Sequence, residues 1–246
     1  MTEREIKVFS SIELLNEFAR NEIANLCAKA IAKHGQFTIA LSGGSTPQKL
    51  YALLAEENFQ SQINWLKTRF FFGDERFVAP DSDESNFQMA RETLFSKIKI
   101  PQENIHLFLT EEGNAKTVAE KMENELREFF HLKENEFPRF DLILLGMGAD
   151  AHTASLFPAT SALKETKRLV TENYVEKFEA FRLTFTLPTI NHARNIFFII
   201  AGEDKAKAVR EVLQGEYNPE KFPAQFIKPE NGKLLFLLDA KAARFL

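Results

Sequence analysis

The sequence places an aspartate and a histidine two residues apart, at Asp150 and His152, shortly after the apolar run at 141–145. A neutral imidazole accepts protons near neutral pH, and a neighbouring carboxylate orients it and stabilises its cationic form. A lone histidine is most often a core or capping residue. At the mouth of a buried strand, beside a carboxylate, it is better placed for chemistry. We therefore predict that His152 is a general base and Asp150 its partner.

A second segment, Ser-Gly-Gly-Ser-Thr-Pro at 42–47, follows the apolar run at 37–41. Its glycines let a ligand approach the backbone closely, while Thr46 and Pro47 suit the cap and first turn of a helix. Backbone N–H groups and hydroxyls at a helix N-terminus bind phosphate well. The spacing of a Walker loop is absent. By itself the segment is either a phosphate site or a tight turn before a well-capped helix.

A third segment, Gly-Asp-Glu-Arg at 73–76, follows the run at 69–72, and polar residues continue to Asn86. Such charges are usually solvated surface, but the carboxyl end of a strand favours a functional role. Two further cations, Arg182 and Lys205, lie at the start of a strand and of a helix. Each is either a surface charge or a ligand for an anion.

Several other kinds of chemistry lack their sequence signatures. Residues 146–151 match the dinucleotide pattern G-x-G-x-x-G/A, but Pro158 would end the long helix that a Rossmann unit requires. The five histidines form no H-x-x-x-H or H-x-H pair for zinc. No G-x-S-x-G elbow is present. We therefore expect no metal, no cofactor and no covalent intermediate.

The elements that must position these residues alternate between short β-rich runs and helical patterns. This alternation predicts an α/β fold, with a mostly parallel sheet and helices on both faces. The first helix is expected to begin with a capping box at 10–13 and to end at Gly35. The predicted strands are 37–41, 69–72, 141–145, 183–186, 196–201 and 234–238. The other predicted helices are 47–56, 86–95, 115–130 and 204–213.

Composition restricts the class of protein further. The 246 residues are 44% hydrophobic and 27% charged with a net charge of -4, and no repeat or linker divides them, so we expect one domain over residues 1–246. Without a basic block, nucleic-acid binding is not expected, and the apolar runs are far shorter than the ~20 residues of a membrane span. A single cysteine, Cys27, favours a reducing compartment. We expect a cytoplasmic monomer or homodimer.

Taken together, these segments resemble the 6-phosphogluconolactonase family. The resemblance runs through five ordered motifs over roughly residues 8–243, at 42–47, 73–76 with 85–86, 145–158, 182–191 and 202–206. It implies one doubly wound, Rossmann-like α/β domain of the sugar-phosphate isomerase type. It also implies hydrolysis of 6-phospho-D-glucono-1,5-lactone to 6-phospho-D-gluconate in the oxidative pentose phosphate pathway.

The resemblance also implies roles for individual residues. His152 would take a proton from water as the water attacks C1, and Asp150 would orient the imidazole. Arg76, or backbone N–H groups after Gly146, would stabilise the oxyanion. The phosphate ligands implied are Gly43, Gly44, Ser45, Thr46, Arg182 and Lys205, and the other substrate contacts are Asp74, Glu75 and Asn86.

The chain departs from the family pattern at two places. The family usually has glycine between the aspartate and the histidine, where this chain has Ala151. If φ is positive there, alanine lowers the stability of the fold by about 1 kcal/mol relative to glycine and can tilt His152. A proline-rich stretch that often precedes the Arg182 motif is replaced here by residues 176–181. The contribution of that loop to substrate contacts is left open.

Two alternative functions remain at this stage. A glucosamine-6-phosphate deaminase or isomerase would follow its histidine with Asn-Glu-Pro, whose glutamate completes a proton relay, and this chain has Phe157 at that position. Arg76 likewise stands where the deaminases have tyrosine. A non-catalytic sugar-phosphate sensor would not need the Asp150 and His152 pair. No helix-turn-helix or basic segment flanks the predicted domain.

Overall fold

A computed structural model of the chain describes residues 4–246, and residues 1–3 lie outside the description. The strands are β1 (Arg4–Phe9), β2 (Phe37–Leu41), β3 (Thr68–Phe72), β4 (Asp74–Arg76), β5 (Leu142–Leu145), β6 (Val170–Val175), β7 (Ala180–Phe185), β8 (Asn195–Ile200) and β9 (Lys233–Asp239). The helices are α1 (Ile12–His34), α2 (Ser45–Leu54), α3 (Glu57–Gln60), α4 (Asn86–Thr93), α5 (Ala115–Phe129), α6 (Leu187–Asn191) and α7 (Ala206–Gln214).

The main sheet has six parallel strands in the order β1-β9-β8-β5-β2-β3, which confirms the predicted doubly wound fold. Strands β2 and β5 are buried along their whole length, because helices cover the sheet, and so their sequences are continuously apolar. From β2 the chain winds outward to β3 and then returns past β2 to form β5. The winding direction therefore reverses between β2 and β5, where such sheets bind ligands.

A second sheet, which the sequence did not predict, contains three antiparallel strands in the order β4-β7-β6. The run at 183–186, predicted as a strand of the parallel sheet, lies largely in β7 of this sheet. The charged residues of β4 were predicted as a loop. Strand β1 was missed because it is a largely exposed edge strand without a continuous apolar run. The second sheet brings β4 and the β6–β7 hairpin over the carboxyl edge of the first.

Helix α1 ends as predicted, with Gly35 in the left-handed conformation (φ 88°). Its beginning differs by one residue from the prediction. The N-cap is Ser11, whose hydroxyl accepts a hydrogen bond from the backbone N–H of Leu14. Because the cap is not Ser10, the predicted capping box with Glu13 does not form.

Phenylalanine, with 25 residues, supplies much of the core. Phe71 and Phe140 are fully buried and pack edge to face with their ring centroids 5.1 Å apart. The free thiol of Cys27 is also buried. Among the helices of residues 4–246, none is both long enough and apolar enough to cross a bilayer.

Candidate active site

A pocket of about 220 Å³ opens at the carboxyl ends of β2, β5 and β8. The strand order makes the loops after these strands neighbours, so segments far apart in the sequence meet at one edge. The pocket is lined by Ser42, Gly43, Gly44, Ser45, Thr46, Pro47, Asp74, Arg76, Asn86, Gly146, Met147, Gly148, His152, Ala154, Ile199, Ile200, Ala201 and Lys205. Most of the predicted site residues are therefore brought together. Asp150, Glu75 and Arg182 do not line the pocket.

Asp150 lies directly behind His152, with Oδ1 2.5 Å from the imidazole Nδ1. The backbone N–H of His152 donates to the same oxygen, at 3.3 Å. Burial alone would raise the pKa of Asp150, but the hydrogen bond and charge of His152, helped by Lys177, hold the pKa well below its usual range. The ionised carboxylate can only accept, so Nδ1 is the donor and Nε2 carries the lone pair. Among residues 4–246, Nε2 has no hydrogen-bond partner.

The loop after β5 is shaped around this pair. A Cβ atom on Gly148 would overlap the Nδ1 atom of His152 and approach Asp150 Oδ1 to 2.6 Å, so the position requires glycine. The N–H of Gly148 donates to the carbonyl of His152, at 2.9 Å. Ala151 has a φ of 62° and is fully buried, so the chain holds alanine where the backbone favours glycine, the strain expected from the sequence.

An aromatic ring covers one face of the imidazole. Phe157 is stacked on His152 with a centroid distance of 4.1 Å and an interplanar angle of 23°. The ring occupies the position of the glutamate in the deaminase pattern. A phenyl ring holds the imidazole plane by packing, but it has no group that transfers a proton.

The phosphate-binding prediction falls on the N-terminus of α2. The helix begins at Ser45 with Gly44 as its N-cap, and no side chain of residues 4–246 caps it. The sequence had suggested Thr46 as the cap, but Thr46 lies inside the first turn. The first N–H groups of α2 carry the positive end of the helix dipole toward the pocket. Lys205 lines the same pocket from the loop after β8, with its Nζ 2.9 Å from Asp204 Oδ2.

Asn86 connects the loop after β2 with β4. Its Nδ2 donates to the carbonyl of Asp74, at 2.9 Å, and its Oδ1 is buried without a hydrogen-bond partner among residues 4–246. A Cβ atom on Gly43 would overlap this amide oxygen, so a glycine is needed for the two segments to approach. Gly43 thus permits the packing that brings the phosphate loop to the charged strand.

Arg76 and Arg182 are cross-strand neighbours on β4 and β7. Arg76 lines the pocket and donates to the carbonyl of Glu84. Arg182 lies beside it, with its guanidinium 5.3 Å from the ring of Phe178. Burial, and next the positive charge of Arg76, lowers the pKa of Arg182 from its usual value. Two guanidinium groups side by side favour an anion between them.

Glu75, predicted to contact substrate, points away from the pocket and is only 3% exposed. Its carboxylate accepts hydrogen bonds from the N–H groups of Arg76, Asn86 and Phe87, at 2.7, 2.7 and 2.8 Å, and from the Ser85 hydroxyl at 3.2 Å. Burial raises the pKa of Glu75, although the three N–H bonds oppose this shift. We assign it the role of holding Arg76 and Asn86 in place.

Two further polar residues support the site without having been identified from the sequence. Ser155 donates to Asp74 Oδ2 at 2.7 Å and thereby ties the loop after β5 to β4. The fully buried Tyr51 donates to the carbonyl of Ser42 at 2.8 Å and accepts from its N–H at 3.0 Å. Burial raises the pKa of Tyr51 above 10. Ser155 lies within the motif at 145–158 and Tyr51 lies on α2, but neither side chain by itself indicates a role in chemistry.

The strand-edge pocket and its charged loops are typical of α/β enzymes that act on small anionic substrates. The family model of glucosamine-6-phosphate isomerases/6-phosphogluconolactonases matches residues 10–236, and the chain belongs to this family. The resemblance of the sequence motifs is thereby confirmed.

Individual relatives match along nearly the whole chain. A 6-phosphogluconolactonase of Synechocystis sp. is 43% identical over 242 residues, which is 98% of each chain. The solved structure of a 6-phosphogluconolactonase from Trypanosoma brucei has a TM-score of 0.88, 31% identity and 100% coverage of both chains. A monomeric glucosamine-6-phosphate deaminase has a TM-score of 0.83 but only 19% identity, covering 98% of this chain and 100% of its own. That last likeness concerns the fold alone.

Proposed function

We propose that this chain hydrolyses 6-phospho-D-glucono-1,5-lactone to 6-phospho-D-gluconate, the lactonase step of the oxidative pentose phosphate pathway. The observation that carries the proposal is the Asp150–His152 pair: His152 lines a pocket that also contains a helix N-terminus, and among residues 4–246 its Nε2 has no hydrogen-bond partner. A δ-lactone is an activated ester. Its hydrolysis needs a positioned water, a base and support for an oxyanion, without a covalent intermediate.

In this mechanism His152 Nε2 removes a proton from water as the water oxygen attacks C1. The proton and its positive charge then reside on the imidazole, which Asp150 stabilises through Nδ1. The tetrahedral intermediate collapses with cleavage of the bond from C1 to the ring oxygen, and the imidazolium returns its proton to that oxygen. The products are the carboxylic acid, which ionises in water, and the free hydroxyl.

Arg76 is the side chain best suited to the oxyanion because it lines the pocket and presents a permanent positive charge. The alternative donors expected from the sequence were N–H groups after Gly146. The N–H of Gly148 is already hydrogen-bonded to the carbonyl of His152, which favours Arg76.

The phosphate would bind at the N-terminus of α2, in the same pocket. Ser45 and Thr46 supply N–H groups and hydroxyls at the start of α2, and Gly43 and Gly44 allow close approach. Lys205 adds a positive charge from the loop after β8. Arg182, the cross-strand neighbour of Arg76, does not line the pocket and contributes through its charge to the local field.

The site favours this reaction over the two alternatives. Ring opening and enolisation require a proton carrier that Phe157 does not provide. A sensor would not need an ionised carboxylate behind a histidine. In this chain Asp150 lies behind His152, and its pKa is held well below the usual range. We further propose a single domain located in the cytoplasm, since one core cluster contains side chains from both sheets and Cys27 is a free thiol.

A single assay tests the proposed function. Release of acid from 6-phosphogluconolactone is followed at neutral pH, with correction for spontaneous opening, and glucosamine-6-phosphate is offered in parallel. We expect lactone hydrolysis and no ammonia release. Ammonia release would support the deaminase alternative, and binding of the phosphosugars without turnover would support the sensor.

A further inference from the structure

The turn that joins β6 to β7 reaches the Asp150–His152 pair. It contains residues 176–179, called here the hairpin tip, and is a 3₁₀ turn closed by Glu179 in the left-handed conformation (φ 48°). Its two central side chains, Lys177 and Phe178, contact the loop after β5. This segment is the one in which the chain departs from the proline-rich family pattern.

Lys177 holds the second oxygen of the Asp150 carboxylate. Its Nζ lies 3.6 Å from Oδ2, while Oδ1 is 2.5 Å from Nδ1 of His152. The two oxygens of one carboxylate are therefore held by two different chain segments. Rotation of the carboxylate away from the imidazole would break both contacts, so Lys177 favours the orientation in which Oδ1 accepts from His152.

Phe178 reaches the imidazole through a second ring. It packs edge-on against Phe157, with centroids 5.7 Å apart at 75°, and Phe157 lies flat on His152 at 4.1 Å. The guanidinium of Arg182 lies 5.3 Å from the Phe178 ring. The stack therefore extends from β7 to the catalytic ring and restricts its tilt.

We infer that the hairpin tip positions the catalytic pair, with Lys177 setting the carboxylate of Asp150 and Phe178 setting the ring plane of His152 through Phe157. The inference rests on the proposed role of His152 as the base. Neither Lys177 nor Phe178 lines the pocket, so both act through the pair and not on the substrate. Substitutions at the tip should lower kcat and leave KM nearly unchanged.

The charge of Lys177 has a second effect, on the pH profile. The charged groups around His152 are Asp150 behind it, Lys177 at the hairpin tip, and Asp74, Arg76 and Lys205 in the shared pocket. A cation beside the pair opposes formation of the imidazolium. Its removal should therefore move the acid limb of kcat/KM to higher pH. Because the Lys177 side chain is 65% exposed, salt screens this effect.

The first experiment removes the charge. Lys177→Met should lower kcat about 2- to 5-fold, the scale of an exposed ion pair. It should also move the acid limb of the kcat/KM profile to higher pH by about 0.3 pH unit. Lys177→Arg should restore both values. The matched control is Lys116→Met, since Lys116 is similarly exposed, at 68%, and lies on α5. An unchanged kcat and pH profile in Lys177→Met, or an equal change in Lys116→Met, would overturn the role of Lys177.

The second experiment removes the ring. Phe178→Ala should lower kcat about 2- to 10-fold with KM within twofold, and Phe178→Leu should lose less. Phe181→Ala is the control on the same hairpin, since Phe181 is 42% exposed against 45% for Phe178 and packs on Tyr174. Equal losses at the two positions would indicate that the hairpin is merely stabilised, and the positioning role would be abandoned.

One further variant separates this inference from the mechanism beneath it. His152→Ala should be nearly inactive. If it is active, the proposed base is wrong and the inference falls with it. If His152→Ala is inactive while the tip variants have the wild-type kcat and pH profile, the mechanism stands and only the role of the hairpin tip is wrong.

Discussion

Arg76 and Arg182 are direct cross-strand neighbours on β4 and β7, and of the two only Arg76 lines the pocket. Burial and the neighbouring charge of Arg76 lower the pKa of Arg182. Such mutual repulsion is relieved when an anion binds between or beside the two groups. The arrangement costs the empty enzyme stability and favours the bound state with a dianionic substrate.

Lys205 is proposed to contact the phosphate directly. Lys205→Ala should raise KM for the phosphorylated lactone about 10- to 100-fold, because a charge-assisted contact contributes about 1.5–3 kcal/mol to binding. Phosphate binding is similar in the ground and transition states, so kcat should change little. Arg182→Ala should act in the same direction but more weakly, since Arg182 does not line the pocket. Both variants should hydrolyse unphosphorylated gluconolactone like the wild type, which distinguishes phosphate binding from support of the fold. Lys207→Ala, on an exposed position of α7, is the control.

Gly148→Ala should lower kcat by about 10²-fold or more, which is within the range expected for loss of the base. The added methyl group would occupy the space of the His152 Nδ1 atom and crowd the Asp150 carboxylate. Gly73→Ala is a matched control, since its Cβ would lie at an ordinary 3.6 Å from the carbonyl of Leu41. Steady-state kinetics on both purified variants, with circular dichroism for folding, tests this. Full activity in Gly148→Ala would mean that the loop has another conformation.

The parallel sheet was predictable because its buried strands are continuous apolar runs. Strands β2, β5, β8 and β9 agree with the prediction to within two residues at either end. Strands β4 and β6 carry polar or alternating residues and pair only with β7, so nothing local distinguishes them from loops. The sequence therefore predicted the edge of the sheet that binds ligand but not the second sheet that covers it.

Prediction of the site had the same limit. His152, Arg76 and Lys205 were predicted as site residues because each follows or adjoins a strand end, and the structure brings all three to one pocket. The contacts of Lys177 with Asp150 depend on how the two sheets dock, and a lysine in a hairpin turn is normally solvated surface. The sequence also could not show that backbone N–H groups surround Glu75, because an acidic residue in a charged motif gives no sign of its partners.

Ala159→Gly should stabilise the protein by about 0.5–1 kcal/mol. Ala159 has a φ of 58° and an exposed side chain, so glycine relieves left-handed strain without loss of packing. Ala151→Gly should gain less, since Ala151 is fully buried and removal of its methyl group forfeits about 0.8 kcal/mol. Urea denaturation of the two variants measures both. A larger gain at Ala151 would reverse this ranking and indicate that strain there dominates.

Stability at acid pH should depend on Asp150. Its pKa is lower in the folded chain than the ordinary value near 3.9, so the folded state gains stability above that pH. This contribution is lost progressively as the pH falls below about 4, because the carboxylate of the unfolded chain then takes up a proton while the folded one still resists protonation. Asp150→Asn lacks the titrating group, so its stability should fall less steeply between pH 5 and 3. Urea midpoints measured across that range test this, with Asp81→Asn as the control. The prediction is wrong if the midpoint of Asp150→Asn changes with pH as steeply as those of the wild type and Asp81→Asn.

His152→Ala should lower kcat by about 10²- to 10⁴-fold and change KM little, the usual consequence of removing a general base. The wild-type kcat/KM should fall on the acid side, because a protonated imidazole cannot accept the proton of water. Replacing Asp150 by Asn removes the negative charge that stabilises the imidazolium, so this acid limb should move to lower pH as kcat falls. The exposed His131, which has a φ of 52°, provides the control variant His131→Asn, because asparagine tolerates that conformation. Rates are measured from pH 5 to 8 with correction for spontaneous hydrolysis. A His152→Ala enzyme with near-normal kcat, or an acid limb that persists in it, would assign the base to another group.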